Sequence, residues 1–367
     1  MIAQNKTGIK LLIITPTLEC GGSEKFVSMV CEHINTHIFS VCLVVVNNAD
    51  PFYRITNPSV KMIDLKKNRV LFSLPAIKKV VNNFKPDIIF STANHLNLYL
   101  AIFKNQFSPK IKFIAREASI VSINSKQAKM AVLYNGLIKK YYRRFDMIIC
   151  QSAYMQRDLV THYHILAEKT MVIHNAVEEV LHTPLQPDQN SERVYKFITI
   201  ARLSDEKGIE RLIHAVGLIT VPFKYYIIGE GSKRNDLLSL INELHLNDKV
   251  FLVGQKNDPF TGMGDADLFL MGSYYEGFPN VLLEAGAYGI PVVAFNAPGG
   301  IAEIIADNEN GLLAEDNDII AFAAAIKKAL AGNFDRHRII ETTKKRFSVN
   351  RMISAIENTF LKLAPNK

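Results

Sequence analysis

Two glutamates eight positions apart, Glu276 and Glu284, bracket a turn in the segment Gly272-Ser-Tyr-Tyr-Glu-Gly-Phe-Pro-Asn-Val-Leu-Leu-Glu-Ala-Gly286. With a helix starting at Pro279 or Asn280, its unpaired N–H groups face back toward the turn and Glu284 lies about one turn in. One carboxylate could then take sugar hydroxyls and the other a ribose diol, with the amides between them taking phosphate oxygens. A solvated acidic pair is the plainer alternative, but the surrounding Gly-Phe-Pro and Ala-Gly, followed by Gly289-Ile-Pro-Val-Val, argue against it. Upstream, Ile198-Thr-Ile-Ala-Arg-Leu-Ser-Asp-Glu-Lys-Gly208 sets Arg202 just past an apolar run and Lys207 five residues later, where a new helix should start. Two cations there can hold a diphosphate and neutralise it as a leaving group. A third junction, Thr15-Pro-Thr-Leu-Glu-Cys-Gly-Gly-Ser-Glu24, turns through Gly21 and Gly22 into a helix near Ser23. It is either a phosphate-sized helix mouth or an ordinary glycine turn capped by Ser23.

Such residues need a scaffold that delivers loops to one edge. Short apolar runs rich in β-branched residues recur at 10–15, 41–46, 88–91, 112–115 and 147–150, then at 196–201, 225–229, 250–254, 268–271 and 291–295. Each is followed by helical spacing. That alternation predicts an α/β fold with parallel sheets covered on both faces, whose ligands bind beyond the carboxyl ends of the strands. Residues 178–193, with Pro184 and Pro187, break the rhythm and are read as a linker. The expected domains are therefore 1–177 and 194–349. Residues 350–367 form an amphipathic helix (Met352, Ile353, Ile356, Phe360, Leu363) that needs a surface to cover.

The 367 residues suit two cores better than one, and 48% apolar with 21% charged residues excludes a disordered or fibrous chain. Four cysteines, Cys20, Cys31, Cys42 and Cys150, lack the spacing of a zinc site or a disulfide scaffold, which fits a reducing cytoplasm. The apolar run 9–14 is too short for a signal or a membrane span. Residues 1–180 hold 23 Lys and Arg against 12 Asp and Glu, and residues 181–367 hold 20 against 23, so the halves carry +11 and −3. A basic first half calls for an anionic partner: nucleic acid, a phosphorylated acceptor or an anionic membrane leaflet. No aromatic-studded strand pair, zinc pattern or recognition helix supports nucleic acid.

Together these motifs resemble the large retaining glycosyltransferase family numbered 4, of GT-B fold, with two Rossmann-like domains facing a cleft. The glutamate pair Glu276 and Glu284 matches its signature, joined by Ala201-Arg-Leu, Glu206-Lys-Gly208, Ile228-Gly-Glu-Gly-Ser232, Gly299-Gly-Ile-Ala-Glu303, Asn310-Gly-Leu-Leu313 and the turn Gly21-Gly-Ser-Glu24. The resemblance is strong from Phe197 to Leu313 and looser before it. It implies that Arg202 and Lys207 hold the donor diphosphate and that Glu276 contacts the transferred sugar. Gly277, Phe278, Pro279 and Asn280 would supply backbone amides, Glu284 would bind the ribose, and the loop after Gly254 would read the base. The last helix would return to the N-terminal domain.

One departure stands out. Many members of that family carry a histidine in the loop after residues 112–115, whereas this chain has Arg116 and Glu117, resembling a branch of hexosamine and galactose transferases of bacterial surface polysaccharides. The implied reaction is attack by an acceptor hydroxyl on the anomeric carbon of a nucleotide sugar, a UDP-sugar being expected and a GDP-sugar the alternative, with retention and without a metal or other cofactor. A covalent intermediate would need a carboxylate such as Glu117 under that carbon. The preferred route is front-face, with the leaving phosphate taking the acceptor's proton. His95 is a candidate for the acceptor side, a helix cap or a surface histidine being the alternative. Residues 126–145 predict a helix with Lys126, Lys129, Lys139, Lys140, Arg143 and Arg144 beside apolar positions, fit either for an anionic membrane or for packing with a solvated basic side. A lipid-diphosphate-linked saccharide is the expected acceptor. A nucleotide-sugar epimerase and a catalytically silent binding module share the fold and remain rivals.

Overall fold

Alternating strands and helices run the length of the chain in the computed structural model, which describes residues 8–126, 130–180 and 193–365. They divide into two units, residues 1–176 with 349–367, and residues 177–348. Most of the expected linker, residues 181–192, lies outside the described residues, as does Lys129.

The first unit runs β1 (Ile9–Thr15), α1 (Gly22–His33), β2 (Phe39–Val45), β3 (Lys61–Asp64), α2 (Leu74–Phe84), β4 (Ile88–Thr92), α3 (Asn94–Phe103), β5 (Lys112–Arg116), α4 (Val121–Lys126), α5 (Ala131–Tyr141), β6 (Met147–Cys150), α6 (Ala153–Tyr163) and β7 (Thr170–Val172). Its seven strands are all parallel in the order β3-β2-β1-β4-β5-β6-β7. Chain order reverses between β1 and β4, so the loops leaving those strands diverge and open a crevice at their carboxyl ends.

The second unit repeats the plan with β8 (Tyr195–Ile200), α7 (Ile209–Val216), β9 (Phe223–Ile228), α8 (Arg234–Glu243), β10 (Val250–Gly254), β11 (Leu268–Met271), α9 (Asn280–Ala287), β12 (Val292–Phe295), α10 (Ile301–Ile304), β13 (Gly311–Ala314), α11 (Ile319–Ala331) and α12 (Arg336–Phe347). The parallel order is β10-β9-β8-β11-β12-β13, with its switch point between β8 and β11. Side chains alternate across this sheet with period two. Phe197, Leu268, Leu270, Val293 and Phe295 join one core with α7, α8 and α11, while Ile198, Phe269, Met271, Val292 and Ala294 join the other with α9, α10 and α12.

The chain then returns to the first unit as α13 (Val349–Leu363), which buries Met352, Ile353, Ile356 and Phe360 in the core that also holds α1. Phe360 packs edge-on against Phe39 and Phe90, at 6.0 and 5.3 Å between ring centres. Each such side chain removed from water stabilises the unit by about 2 kcal/mol.

Three strands lie outside the runs that the apolar pattern picks out. β3 is an exposed edge, β7 has three residues and β13 has four, too little for periodicity to register. The single helix expected over residues 126–145 is instead α4, then α5, then a 3₁₀ turn at Tyr142–Arg144. Gly136 sits in the middle of α5, where it weakens helix propensity.

Candidate active site

At the switch point of the second unit, the loop leaving β8 touches the loop leaving β11. Gly208 caps α7 in the left-handed region, φ 55°, and a methyl group there would overlap the carbonyl of Gly272. Tyr274 N–H donates to the Glu206 carbonyl at 2.9 Å, closing the same contact. This brings Lys207 to Glu276: Nζ lies 2.7 Å from Oε1, which also accepts from Ser273 Oγ at 2.7 Å, and both charged side chains are largely buried. The backbone of Glu276 is fixed on its other side. Its N–H donates to Pro298 at 3.0 Å and its carbonyl accepts from Gly300, where Gly299 at φ 124° leaves no room for a side chain.

Arg202 sits differently. Its guanidinium is 78% exposed at the rim and pairs with Glu206 at 3.1 Å, and Glu206 accepts from Ser204 Oγ at 2.8 Å. α9 begins at Asn280 with Pro279 as its cap residue, and Glu284 is half-buried in its second turn. Pro279 has no N–H, so of the four residues expected to offer amides only Gly277, Phe278 and Asn280 can. The Phe278 side chain is core, edge-on to Phe347 at 5.7 Å. Gly254 ends β10 at φ 86°, its carbonyl accepting from Gly229 N–H at 2.9 Å.

A brace behind this site escaped the sequence reading. Arg211, 4% exposed, donates Nε to Gly272 O and Nη2 to Ser273 O, both at 2.6 Å, and Nη1 to Asp316 at 2.9 Å and Asn317 at 3.1 Å. Its guanidinium lies between Tyr274 and Phe295, 4.1 and 3.9 Å from their ring centres. It therefore fixes the loop that carries Ser273 and Glu276. A lone arginine within the apolar face Ile209, Leu212, Ile213 and Val216 is the signal that could have revealed it.

In the first unit, α1 begins at Gly22, and Gly21 precedes it with extended backbone at φ −169°, a region open to any residue. Thr17 Oγ1 donates to Glu24 at 3.4 Å, and burial raises the Glu24 pKa. The turn from β4 into α3 passes through Ala93 at φ 77°, a strained value for a residue with a side chain. His95 is exposed on the first turn of α3.

Arg116 and Glu117 depart most from expectation, since both are fully buried. Glu117 Oε1 accepts from Asn97 Nδ2 at 2.8 Å and from Tyr142 OH at 2.9 Å. Arg116 donates to Asn175 Oδ1 at 2.6 Å and stacks on Phe26 at 3.7 Å. Burial pushes the Glu117 pKa up to about 7 and disfavours the charge on Arg116, which stays protonated. Neither side chain has an atom exposed to solvent, and among the described residues Glu117 Oε2 and Arg116 Nε and Nη1 have no hydrogen-bond partner. Their remaining contacts brace the β5 loop.

Lys139, Lys140 and Arg143 are exposed. Arg144 is not a free surface charge, because its Nη1 donates to the carbonyls of Ala101 and Ile102 at the end of α3, at 3.2 and 2.9 Å. Among the described residues, no three His, Cys, Asp or Glu are grouped to hold a metal ion, and no helix is long and apolar enough to cross a membrane.

Residues 183–346 match the family model described as glycosyl transferases group 1, and residues 20–180 match that of glycosyltransferase family 4. The chain is 30% identical to the N-acetylgalactosamine-N,N'-diacetylbacillosaminyl-diphospho-undecaprenol 4-alpha-N-acetylgalactosaminyltransferase of Campylobacter jejuni, over 84% of this chain and 87% of that one. It is 24% identical to the amylovoran biosynthesis glycosyltransferase AmsD of Erwinia amylovora, over 88% and 90%. Among solved structures it is similar to the lipopolysaccharide outer core galactosyltransferase WaaB, with TM-score 0.77 and 20% identity over 96% and 99% of the chains. It is similar also to Anabaena HepE in complex with UDP, with TM-score 0.76 and 20% identity over 96% and 100%. The paired parallel sheets and their loops thus define a glycosyltransferase of GT-B fold. Within that class, the chain belongs to family 4.

Proposed function

We propose that this glycosyltransferase moves a hexose or N-acetylhexosamine from a UDP-sugar to a lipid-diphosphate-linked saccharide in bacterial surface-polysaccharide synthesis, with retention and without a metal. The Lys207–Glu276 pair at the β8/β11 switch point carries the reading. Lys207, preorganised and largely shielded from water, neutralises charge on the departing diphosphate, with Arg202 closing in from the rim. Glu276 takes hydroxyls of the transferred sugar, the amides entering α9 take phosphate oxygens, and Glu284 takes the ribose. A cation and helix amides that already serve the leaving group leave no step that needs a metal. The burial of Glu117 favours the front-face route, in which the leaving phosphate accepts the acceptor's proton.

The donor assignment draws on HepE, described with UDP, and the acceptor on the relative named for a diphospho-undecaprenol substrate. Such an acceptor lies in a leaflet, so the enzyme works from the cytoplasm at the inner membrane face, where exposed Lys139, Lys140 and Arg143 offer a contact. Titration with UDP, GDP and ADP, followed by thermal stability, tests the donor site, since a ligand at 100 times its Kd adds about 2.7 kcal/mol. Stabilisation by UDP that Lys207→Ala and Glu284→Ala both lose is expected. No response to any nucleotide would refute the reading.

A further inference from the structure

The transferase reading makes no use of the segment between β3 and β4. From residue 65 to residue 86 the chain carries Lys66, Lys67, Arg69, Lys78, Lys79 and Lys85 and no carboxylate. In its middle, the 3₁₀ turn Val70–Phe72 directs its bulkiest side chains outward, Leu71 being 65% exposed and Phe72 61%. The turn is held from behind. Ser73, fully buried, donates Oγ to the Val70 carbonyl at 2.6 Å, and Tyr99 OH of α3 donates to the Leu71 carbonyl at 2.8 Å. α2 buries Ile77 and Val81 and leaves Lys79 and Lys85 outside.

Among the described residues, none of these six cations forms an ion pair. α3 has no acidic residue, and the flanking carboxylates Asp64 and Asp87 accept from the backbone N–H groups of Lys66 and Lys10. Beside the turn, α2 carries a shallow concavity of about 470 Å³ where Lys78, Lys79, Asn82, Asn83 and Gln106 set ammonium and amide donors suited to a phosphate headgroup beside the apolar Leu74 and Pro75. Scattered exposed apolar residues are ordinary on a protein surface. Two adjacent bulky ones on a braced turn, in a segment whose charged residues from 65 to 86 are all cations, match a surface that is apolar within and anionic at its edge.

We propose that the Val70–Phe72 turn and α2 form a membrane tip, Leu71 and Phe72 entering the interface of an anionic bilayer while Lys66, Lys67, Arg69, Lys78 and Lys79 engage lipid phosphates. The proposal rests on the reading of a lipid-linked acceptor and names the surface that meets the lipid. The tip, rather than α5, supplies the insertion, although Val132 and Leu133 of α5 are also 90% and 52% exposed and serve as the control.

Co-sedimentation of the full chain with vesicles of phosphatidylcholine containing about 30% phosphatidylglycerol, beside pure phosphatidylcholine and an anionic DNA duplex, tests it. The wild type should bind the anionic vesicles selectively. Leu71→Ser with Phe72→Ser should lose about tenfold or more, and Lys66→Gln with Lys67→Gln about fivefold per charge removed. Val132→Ser with Leu133→Ser should change little. Absent binding, equal binding to neutral vesicles or to the duplex, or loss only in the α5 variant would overturn the proposal. Nucleotide-induced stabilisation, measured on the same proteins, keeps the two readings apart. A UDP response without vesicle binding refutes the tip alone, and vesicle binding without a nucleotide response refutes the transferase site alone.

Discussion

Replacing Arg211 by alanine removes four hydrogen bonds from beneath the loop that carries Ser273 and Glu276. Two of the acceptors left behind, the carbonyls of Gly272 and Ser273, belong to buried residues, and each unsatisfied buried acceptor costs about 1–3 kcal/mol. The stacking of the guanidinium between Tyr274 and Phe295 adds about 1 kcal/mol. Asp316 is 28% exposed, so water replaces much of that ion pair. The expected loss is about 4 kcal/mol, or about 10 °C in the melting temperature of a unit this size. Arg211→Lys keeps the charge but not the fork that reaches both carbonyls, and should recover only part of it. Thermal scans with and without UDP read both consequences, because a slackened loop moves Glu276 away from Lys207 and weakens donor binding. A destabilisation below about 1 kcal/mol would refute the energetic reasoning. A large loss of stability with the UDP response intact would refute the link from the brace to the site.

Lys207→Ala should lower kcat on the order of 10²–10³-fold, as for the loss of one preorganised charge donor, and unchanged turnover would exclude it from stabilising the leaving group. Gly299→Ala places a methyl group into the Glu276 carbonyl at a backbone φ of 124°, so the variant should lose nucleotide response and stability together; a wild-type melting curve would contradict the geometry. Glu117 has a folded-state pKa raised from 4.5 to about 7 by burial, so it binds its proton more tightly folded than unfolded. The stability this contributes is full below pH 4.5 and is lost as pH rises through 7. Glu117→Gln should therefore flatten the fall in melting temperature across that window, and parallel profiles for the two proteins would show that Glu117 does not titrate there.

Much of the scaffold was legible because parallel strands buried on both faces read as apolar runs and the loops that follow them carry glycines and charges. The glutamate pair and the Arg202–Gly208 loop were visible for that reason, and so was α13, whose apolar stripe demanded a surface. The short strands β3, β7 and β13 were not, since three or four residues carry too little period and β3 is an exposed edge.

By itself the sequence determined the repeating strand–helix plan, the residues able to bind a diphosphate and sugar hydroxyls, and the charge asymmetry between the halves. The tertiary structure decided which of those residues meet. Strand order places the β8 and β11 loops side by side, so Lys207 finds Glu276 although the two are 69 positions apart in the chain. It also decided burial, enclosing Arg116 and Glu117 while leaving Leu71 and Phe72 outside, against what their residue types suggest. Both outcomes depend on neighbours distant in sequence, and local propensity carries no record of them.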